Sequence, residues 1–405
     1  MMRISTASFY EQSKNAMGSL QTSLLRMQQQ IGAGSKLLKP SDDPVAATQA
    51  LATQRSIAMN SQYAASRTHA AQTLTLEEST LQGATMVLQD AKGLLVQAGG
   101  TLNDADRANI AASLQASLDR LQGLANTDDG NGQFLFAGFK SGTAPFVRQA
   151  DGSVSYAGDQ GQRLSQVDAL QQMAASDDGR SIFLSVQDGA GYVSSASAGN
   201  TGSGVVGSAV ALDAGNAGYG QDFVISFPTA STYQVDSVPA SATPLVPPSA
   251  YKPGDGIEFG GLRVSLSGAP AAGDSFSVAT AKNAGTDVFA ALGDAIKALK
   301  TPMDNGGAPA QARMLNALAT ANRKLTNAHD NVLTVRASVG SRLQELDALD
   351  STGDTRMLND KVALSAVQDL DYASAISEFY ERQTALQASQ QVFAKVQKIS
   401  LFNYL

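Results

Sequence analysis

The chain of 405 residues contains no cysteine and no tryptophan, and only 6% of its residues are aromatic. Without cysteine it can form no disulfide, no zinc–thiolate site and no thiol nucleophile. Charged residues are also few, at 16%, and the formal net charge is −7. Because nucleic-acid binding needs clustered cations that displace counterions from phosphates, this balance predicts that the chain binds no nucleic acid.

Long apolar runs are lacking as well. No stretch approaches the roughly 20 apolar residues that span a bilayer, so we expect no membrane insertion. The segment Met1 to Tyr10 lacks the apolar core of a cleaved signal peptide. Composition alone therefore favours a cytoplasmic protein, and only a specialised export route would place the chain outside. Its length exceeds what one core usually supports, which predicts two or three domains.

Residues typical of catalysis are sparse. His69 and His329 are the only histidines, and each stands alone on a predicted helix. The pairs Asp42–Asp43 and Asp128–Asp129 lack the spacing and the closing Glu of a calcium loop. The sequence also has no phosphate-binding Gly-rich loop and no serine in a nucleophile elbow. We therefore predict no metal, no cofactor and no catalytic residue, and we interpret the chain as a non-enzyme.

What the sequence does contain is an apolar heptad stripe near each end. The first stripe has spacings of three and four and comprises Tyr10, Ser13, Met17, Leu20, Leu24, Met27 and Ile31. Near the other end a stripe from Leu318 to Leu349 is continued by Ile376, Phe379, Leu386 and Phe393. A helix with so narrow an apolar stripe cannot bury it alone. These residues therefore predict an assembly seam that packs against a helix of the same chain or of another copy.

Helix boundaries can be placed between the stripes. The first helix is predicted from about Ser5 to Ile31, and the second runs to Ala98. The second begins at a helix-cap motif made of Ser41, Asp42, Asp43 and Pro44. The carboxylate of Asp43 suits the N-cap, and Pro44 suits the first helical position, where its missing amide is not needed. A third helix starting at Asn103 or Asp104 should form an antiparallel hairpin with the second.

The middle of the chain follows a different pattern. Short segments with period-two alternation predict strands at Val154–Tyr156, Ile182–Val186 and Leu262–Leu266, and residues 134–139 predict a short extended segment. Residues 194–220 are rich in Gly, Ser and Ala and are interpreted as a long loop or weak strands. The region 141–285 is therefore predicted as a β-rich insertion, one or two subdomains in size. It has 12 acidic and 6 basic residues, a difference of −6 that nearly equals the net charge of the chain.

Several ordered motifs resemble the flagellin superfamily. They are Met2–Thr6, Gln30–Lys36 leading into Pro40–Pro44, Glu77–Leu81, Gly100–Leu102 with Asp106–Arg107, Leu124–Thr127, Val335–Leu343 and Ser400–Leu405. Within the superfamily, Asp129–Phe139 is most similar to the hook-associated protein 3 family, which forms the hook-filament junction. The resemblance covers about the first 140 and the last 120 residues. The middle of the chain does not carry it.

The resemblance implies a mainly α fold with inserted β: a discontinuous bundle of long helices from both termini, with a coiled-coil terminal pair and a projecting β-rich domain. The expected domains are terminal helices at 1–40 and 365–405, a helical bundle at 41–140 and 286–364, and a surface insertion at 141–285. The helices of the two ends would pair in the inner layer of a tube.

The resemblance also implies a function, partners and a location. The chain would form a ring of identical copies between hook and filament, contacting a hook-side junction protein, flagellin and an export chaperone. It would be extracellular, exported by the flagellar type III route without a cleaved signal peptide. The alternative within the superfamily is flagellin itself, the filament subunit. An alternative of another class is an enzyme carried in the β insertion, but the His-Glu-x-x-His motif of such a metallopeptidase is absent.

Overall fold

The computed structural model describes residues 6–241, 243–303 and 307–402. The parts of the flagellin-like motifs at Met2–Ser5 and Asn403–Leu405 lie outside the described residues. The helices are α1 (Thr6–Ala33), α2 (Pro44–Ala98), α3 (Asp104–Ala125), α4 (Gly179–Phe183), α5 (Val288–Lys300), α6 (Gly307–Gln368) and α7 (Tyr372–Phe402). The mainly helical fold with an inserted β-rich part, predicted from the sequence, is confirmed.

Within the described residues, every strand lies between α3 and α5 in the chain. In sequence order they are β1 (Phe146–Arg148), β2 (Val154–Tyr156), β3 (Leu164–Asp168), β4 (Gln171–Ala174), β5 (Val193–Ala196), β6 (Val205–Ala211), β7 (Asp222–Thr229), β8 (Thr232–Val238), β9 (Val246–Ala250), β10 (Gly256–Phe259), β11 (Leu262–Ser267) and β12 (Ser275–Ala279). The first four form two antiparallel hairpins, β1–β2 and β3–β4. The others form a five-stranded sheet in the order β5-β12-β7-β8-β9 and a three-stranded sheet in the order β10-β11-β6.

The chain divides into two compact units. We call residues 1–65 with 348–405 the terminal unit and residues 66–347 the central unit. Helix α1, helix α7 and one end each of α2 and α6 belong to the terminal unit. The central unit contains all the strands, the helices α3, α4 and α5, and the remaining parts of α2 and α6.

The helical core of the central unit follows from heptad stripes. The buried apolar residues on α6 include Leu318, Ala321, Leu325, Ala328, Val332, Val339 and Leu346, and those on α2 include Leu81, Ala84, Leu88, Ala91 and Leu95. Helix α3 begins after the N-cap Asn103, whose side chain accepts a hydrogen bond from the amide of Asp106 at 2.8 Å. Its residues Leu114, Leu118 and Leu121 are buried, and α3 packs against α5. The apolar stripes of the central unit are therefore buried within one copy of the chain.

The two larger sheets face each other across one apolar core. Alternate residues of β7, β11 and β12 point inward, among them Phe223, Ile225, Val264 and Phe276. This alternation is what a sheet with one buried face requires. Residues 194–220 are predicted from the sequence as a long loop or weak strands; within them β6 contributes Val206 and Ala209 to this sandwich core.

Two of the predicted extended segments have a different structure. Residues 182–186 alternate in hydrophobicity, yet Ile182 lies in the short helix α4, because Asp178 caps it by accepting from the amide of Ser181 at 2.9 Å. Only Phe134 of residues 134–139 is extended, forming a bridge with Asp128, and the rest of that segment turns. The strand predictions there were wrong because these residues pack into the helical core.

An aromatic cluster explains that packing. Phe136 and Phe183 meet edge to face at 5.8 Å between ring centroids, and Phe146 lies 5.6 Å from Phe183 and 5.0 Å from Phe289 of α5. All four rings are buried. The first part of the predicted insertion, which includes Phe146 and Phe183, therefore belongs to the core of the helical region.

A row of polar residues on α6 holds the β-rich part in place. Asn316 donates to the carbonyl of Gly204 and accepts from the amide of Val206, both at 2.9 Å, as a neighbouring strand would do. The same helix donates further hydrogen bonds to backbone carbonyls, from Thr320 to Ser194, Arg323 to Tyr192, Asn327 to Gly191, and Asn331 to Ser181 and Ile182, at 2.8 to 3.0 Å. We call these five residues the α6 polar row. Spacings of three and four place them on one helix face.

Candidate functional site

In the terminal unit, α1 and α7 form an antiparallel pair. At one end the rings of Tyr10 and Phe393 lie 4.7 Å apart. At the other end the amide of Leu370 donates to the carbonyl of Gly34 at 3.0 Å, just before α7 begins. The two ends of the chain, more than 330 residues apart in sequence, therefore lie side by side.

The predicted seam residues of α1 face this pair. Met27 is buried; Met17, Leu20, Leu24 and Ile31 are half-buried, and Tyr10 is 39% exposed. Seam side chains are expected to be only partly buried when two helices pair, since each helix covers only one side of the other's apolar stripe.

On α7 the register of the contact differs from the predicted one. Phe379, Leu386 and Phe393 are half-buried as seam residues, but Ile376 is 43% exposed. Ala375 is buried in its place, at 5% exposure. The spacing from residue 375 to 379 is four, which continues the alternation through residues 382, 386, 389 and 393, so Ile376 lies beside the seam and outside the contact.

The residues of the predicted helix-cap motif have separate contacts. Asp43 accepts from the amides of Val45 and Ala46 at 3.0 and 2.9 Å, and Pro44 is the first residue of α2. The carboxylate of Asp42 accepts from the amides of Leu38 and Lys39 at 3.2 and 3.0 Å, so it closes the preceding turn instead of capping α2. Ser41 is exposed.

Arg26 makes an ion pair that sequence reasoning missed. It lies on α1 and forms an ion pair with Asp42 at 2.8 Å, which fastens the helix to the turn that follows it. Asp42 is largely covered and Arg26 is half-exposed. Because Arg26 lies outside the apolar stripe, its spacing to Asp42 carries no signal of its own in the sequence.

The turn after α1 is joined to the turn before α7. Ser35 and Asp369 form an antiparallel bridge, and the amide of Lys36 donates to the carbonyl of Gln368 at 2.8 Å. Gly34 has a positive φ of 67°, and a Cβ there would lie 2.9 Å from the hydroxyl of Tyr372. The positive φ therefore favours glycine where the two chain segments meet.

Helix α7 begins at an N-cap that its sequence could have revealed. Asp371 accepts from the amide of Ala373 at 3.0 Å and from the hydroxyl of Ser374 at 2.9 Å. Hydrogen bonds from the hydroxyl and amide of Ser374 and from the amide of Ala373 lower the pKa of Asp371. An Asp directly before an apolar periodic run is the ordinary signal of a helix start.

The central unit contains a buried polar cluster that no motif indicated. Glu77 of α2 is fully buried, and neither of its carboxyl oxygens has a hydrogen-bond partner among the described residues. Burial, and then the nearby negative charge of Asp177, raise the pKa of Glu77 to about 9, against the opposing effect of Arg342. Arg342 itself pairs with Asp177. The neighbouring Glu78 forms its own ion pair with Arg336 of α6 at 2.6 Å.

Neither unit presents a metal site or a membrane span within the described ranges. Among these residues no three His, Asp or Glu side chains come together as metal ligands would. None of the helices described has a segment long and apolar enough to cross a bilayer. The candidate functional site of the described residues is therefore the contact between α1 and α7.

Comparisons with known proteins agree with this architecture. The bacterial flagellin N-terminal helical region matches residues 4–141, and the bacterial flagellin C-terminal helical region matches residues 323–405. The two matches leave the sandwich outside and include both helices of the terminal pair. The resemblance to the flagellin superfamily is thereby confirmed.

Individual relatives are more specific. Flagellar hook-associated protein 3 of Salmonella typhimurium is 34% identical over 402 residues, covering 99% of each chain. The crystal structure of FlgL from Xanthomonas campestris is 30% identical and covers 77% of this chain and 99% of that one, with a TM-score of 0.68. The flagellar junction protein FlgL of Legionella pneumophila is 25% identical and covers 79% and 100%, with a TM-score of 0.67. By its motifs, its paired terminal helices and these full-length similarities, the chain belongs to the flagellar hook-associated protein 3 family.

Proposed function

We propose that this chain is a structural subunit of the bacterial flagellum and joins the hook to the filament. The antiparallel pairing of α1 with α7 is the observation that carries this proposal, because it brings together the two regions shared with flagellins. Relatives that match over 99% of the chain are named for the hook, and a solved relative is named as a flagellar junction protein.

The same relatives favour the junction over the filament. Filament-forming flagellin shares the terminal helices, but the full-length relatives reported above are hook-associated proteins and not flagellins. The enzymatic alternative has no support in the family, which is structural. A metallopeptidase in the insertion would need a His-Glu-x-x-His motif, and the chain has two histidines, at positions 69 and 329.

Assembly is proposed to proceed through the terminal pair. Residues 1–40 and 365–405 would form the inner layer of a tube, residues 41–140 and 286–364 a surrounding bundle, and residues 141–285 the outer surface. Burial of the partly exposed seam, at roughly 25 cal/mol per Å² of apolar surface, would drive copies into a ring. The ring would contact a hook-side junction protein on one side and flagellin on the other.

We also propose that the chain is exported from the cell. The chain would leave the cell by the flagellar type III route, without a cleaved signal peptide, and become part of the extracellular flagellum. An export chaperone would hold the helix of the carboxyl-terminal end until release, because the apolar stripe of that helix needs a partner wherever α1 is not yet paired with it.

The first prediction tests junction formation in a strain that lacks its own hook-filament junction protein. The wild-type chain should restore filaments and swimming. Phe393→Asp should not, because it places an unpaired charge against Tyr10 in the seam, and uncompensated burial of charge costs several kcal/mol. Electron microscopy should show bare hooks, and immunoblots should show flagellin released into the medium.

Ala388→Asp provides the matched control. Ala388 is exposed on the same helix, on the side away from the seam. The substitution Ala388→Asp therefore adds the same charge without burying it. It should restore swimming, and the thermal unfolding of the central unit should be the same in all three proteins. Normal filaments with Phe393→Asp would remove the seam from the assembly mechanism, and failure of the wild-type chain would overturn the junction function itself.

A further inference from the structure

A cavity of about 390 Å³ opens at one end of the five-stranded sheet. Three chain segments line it: residues 186–192 lead into β5, Tyr219 and Gly220 precede β7, and residues 280–283 follow β12. Strand β12 is antiparallel to both β5 and β7, so the start of β5, the end of β12 and the start of β7 lie at the same end of the sheet. The volume falls within the range of sites that hold small molecules, roughly 300–1,000 Å³.

Two tyrosines form one wall of this cavity. Tyr192 is buried, and its hydroxyl accepts a hydrogen bond from the amide of Gly220 at 2.6 Å. The ring of Tyr219 meets that of Tyr192 edge to face, with 5.7 Å between the centroids, and Tyr219 stays 37% exposed. The face of an aromatic ring carries partial negative charge and attracts the slightly positive C–H groups of a molecule that lies flat on it. Tyr219 thus offers a held aromatic surface to the C–H groups of a ligand.

Hydrogen bonds fix the rim of the cavity in the free protein. The carboxylate of Asp222 accepts from the amide and the hydroxyl of Thr280 at 2.7 and 3.0 Å, and from the side chain of Asn283 at 2.7 Å. The side-chain oxygen of Gln187 accepts from the hydroxyl of Thr334 on α6 at 2.5 Å. A rim that is already ordered loses little conformational entropy when a ligand binds.

Two charged side chains at the cavity are left without a partner. Asp188 and Lys282 are exposed, and among the residues that the structure describes neither forms an ion pair or a hydrogen bond. Their charges are opposite, so a charged ligand of either sign would be attracted by one and repelled by the other. Hydroxyl groups suit both, because a hydroxyl donates to a carboxylate and accepts from an ammonium group. The cavity therefore favours a neutral ligand that is rich in hydroxyl groups.

A pyranose ring combines the two properties that these residues select. One side of such a ring presents C–H groups, and hydroxyl groups project from its edge. We propose that the cavity binds a neutral saccharide, whose ring stacks on Tyr219 and whose hydroxyl groups pair with Asp188 and Lys282. This binding goes beyond the junction function and does not depend on it, because the lining residues belong to the central unit and not to the α1–α7 pair.

The test uses the purified full-length chain and three neutral disaccharides, cellobiose, lactose and maltose. In saturation-transfer difference NMR, irradiation of the protein methyl signals should pass saturation to the ring C–H protons of at least one of the three. Tyr219→Ala should remove this transfer, whereas Tyr219→Phe, which keeps the aromatic ring, should retain it. Tyr380→Ala is the control, since Tyr380 is exposed on α7 and does not line the cavity.

The charged side chains give a second arm that does not disturb the tyrosine contact. Asp188→Ala and Lys282→Ala should each raise the dissociation constant of the bound disaccharide about tenfold, as expected for a lost hydrogen bond to a charged group. The matched controls are Asp255→Ala and Lys252→Ala, which remove exposed residues of the same types outside the cavity. All four variants should unfold at the wild-type temperature, because each changes an exposed side chain.

Three results would overturn the proposal. One is the absence of transfer to all three disaccharides, and another is equal transfer in the wild type and Tyr219→Ala. The third concerns other ligand classes, with adenosine and glucuronate as probes. Saturation of the adenine protons without any sugar binding would assign Tyr219 to a planar base, and tighter binding of glucuronate than of every disaccharide would assign the cavity to an anion.

Discussion

Glu77 is a carboxylic acid that the fold removes from water. Its carboxyl group is buried on α2 beside Asp177 and beside Arg342 of α6. Asp177 and Arg342 already pair with each other. A charged Glu77 would add a second carboxylate to that pair. The fold therefore favours the neutral, protonated acid, and the pKa of Glu77 is raised to about 9.

The second prediction follows from this linkage. A raised pKa means that the unfolded chain releases the proton of Glu77 first, so the free energy of unfolding should fall as pH rises from about 4.5 towards 9. The contribution is largest below the unfolded pKa and changes by up to about 1.4 kcal/mol per pH unit between the two values. Glu77→Gln keeps the neutral shape and should remove that slope, as measured by denaturant unfolding of the central unit between pH 5.5 and 8.5.

Glu78→Gln is the control for the same measurement. Glu78 is the next residue on α2, is partly exposed and pairs with Arg336, so its loss should leave the pH slope close to that of the wild type. If Glu77→Gln shows the wild-type slope, the carboxyl group is ionised in the folded protein and the burial argument is wrong.

Sequence reasoning at the scale of residues succeeded where the signal was local. The amide contacts of Asp43 and the position of Pro44 use neighbours only two or three residues away, and a capping pattern expresses that spacing directly. The contact of Glu77 with Asp177 joins residues 100 positions apart, so nothing in either segment indicates it. The heptad pattern predicts Ile376 in the seam because it is large and apolar, whereas in the structure the small Ala375 occupies that position.

At the scale of elements, the predicted insertion divides in two. Residues 193–279 form the sandwich with its own apolar core, whereas Phe146 and Phe183 complete an aromatic cluster with Phe136 and Phe289. Period-two alternation predicts strands correctly at Val154–Tyr156 and Leu262–Leu266, since each has one covered and one open face: the covered face is half-buried in the first strand and buried in the second. The strand prediction at residues 182–186 was wrong because alternation over so few residues also fits a capped helical turn.

The third prediction concerns removal of the sandwich. Val193 and Ala279 are paired neighbours on β5 and β12, so their Cα atoms lie about 5 Å apart and a two-residue Asn-Gly turn can join them. A chain with residues 194–278 replaced by that turn should keep the unfolding temperature of the helical core and should still support filaments.

Deletion of the whole predicted insertion, residues 141–285, is the contrasting variant. It removes Phe146 and Phe183 from the cluster, and the loss of one buried Phe typically costs about 3–5 kcal/mol. This larger deletion should unfold the central unit, as circular dichroism and thermal melts would show. Equal stability of the two deletions would mean that the cluster contributes little to the core.

At the scale of the whole molecule, apolar burial is uneven. Among the described residues of the terminal unit, the buried apolar side chains are Met27, Ala50 and Ala375, whereas every long helix of the central unit buries a row of such side chains. Regions with few buried apolar contacts open with little free energy. This difference was predictable, because the terminal stripes lack the additional apolar positions that a fully enclosed helix needs.

The fourth prediction applies that difference to the free monomer. Limited trypsin digestion in dilute solution should cut α1 and α7 first, at sites such as Lys14 and Arg382. The expected product is a fragment that starts near Pro40 and ends between Asp350 and Leu370, identified by mass spectrometry. Cleavage within α5, for example at Lys297, is the internal reference for the central unit. If α1 and α7 resist as long as α5, the terminal pair is as stable as the core without any neighbouring copy.

The α6 polar row has a mechanical consequence for the sandwich. Those of its residues that bind the sandwich or the two residues leading into it extend from Asn316 to Asn327, a length of about 16 Å along the helix. A pull parallel to α6 would load these hydrogen bonds together in shear, so several must break at once. A pull perpendicular to the helix at one end would peel them apart one at a time, at a much lower force. The attachment of the sandwich is therefore anisotropic, stiff along the helix and weak across it.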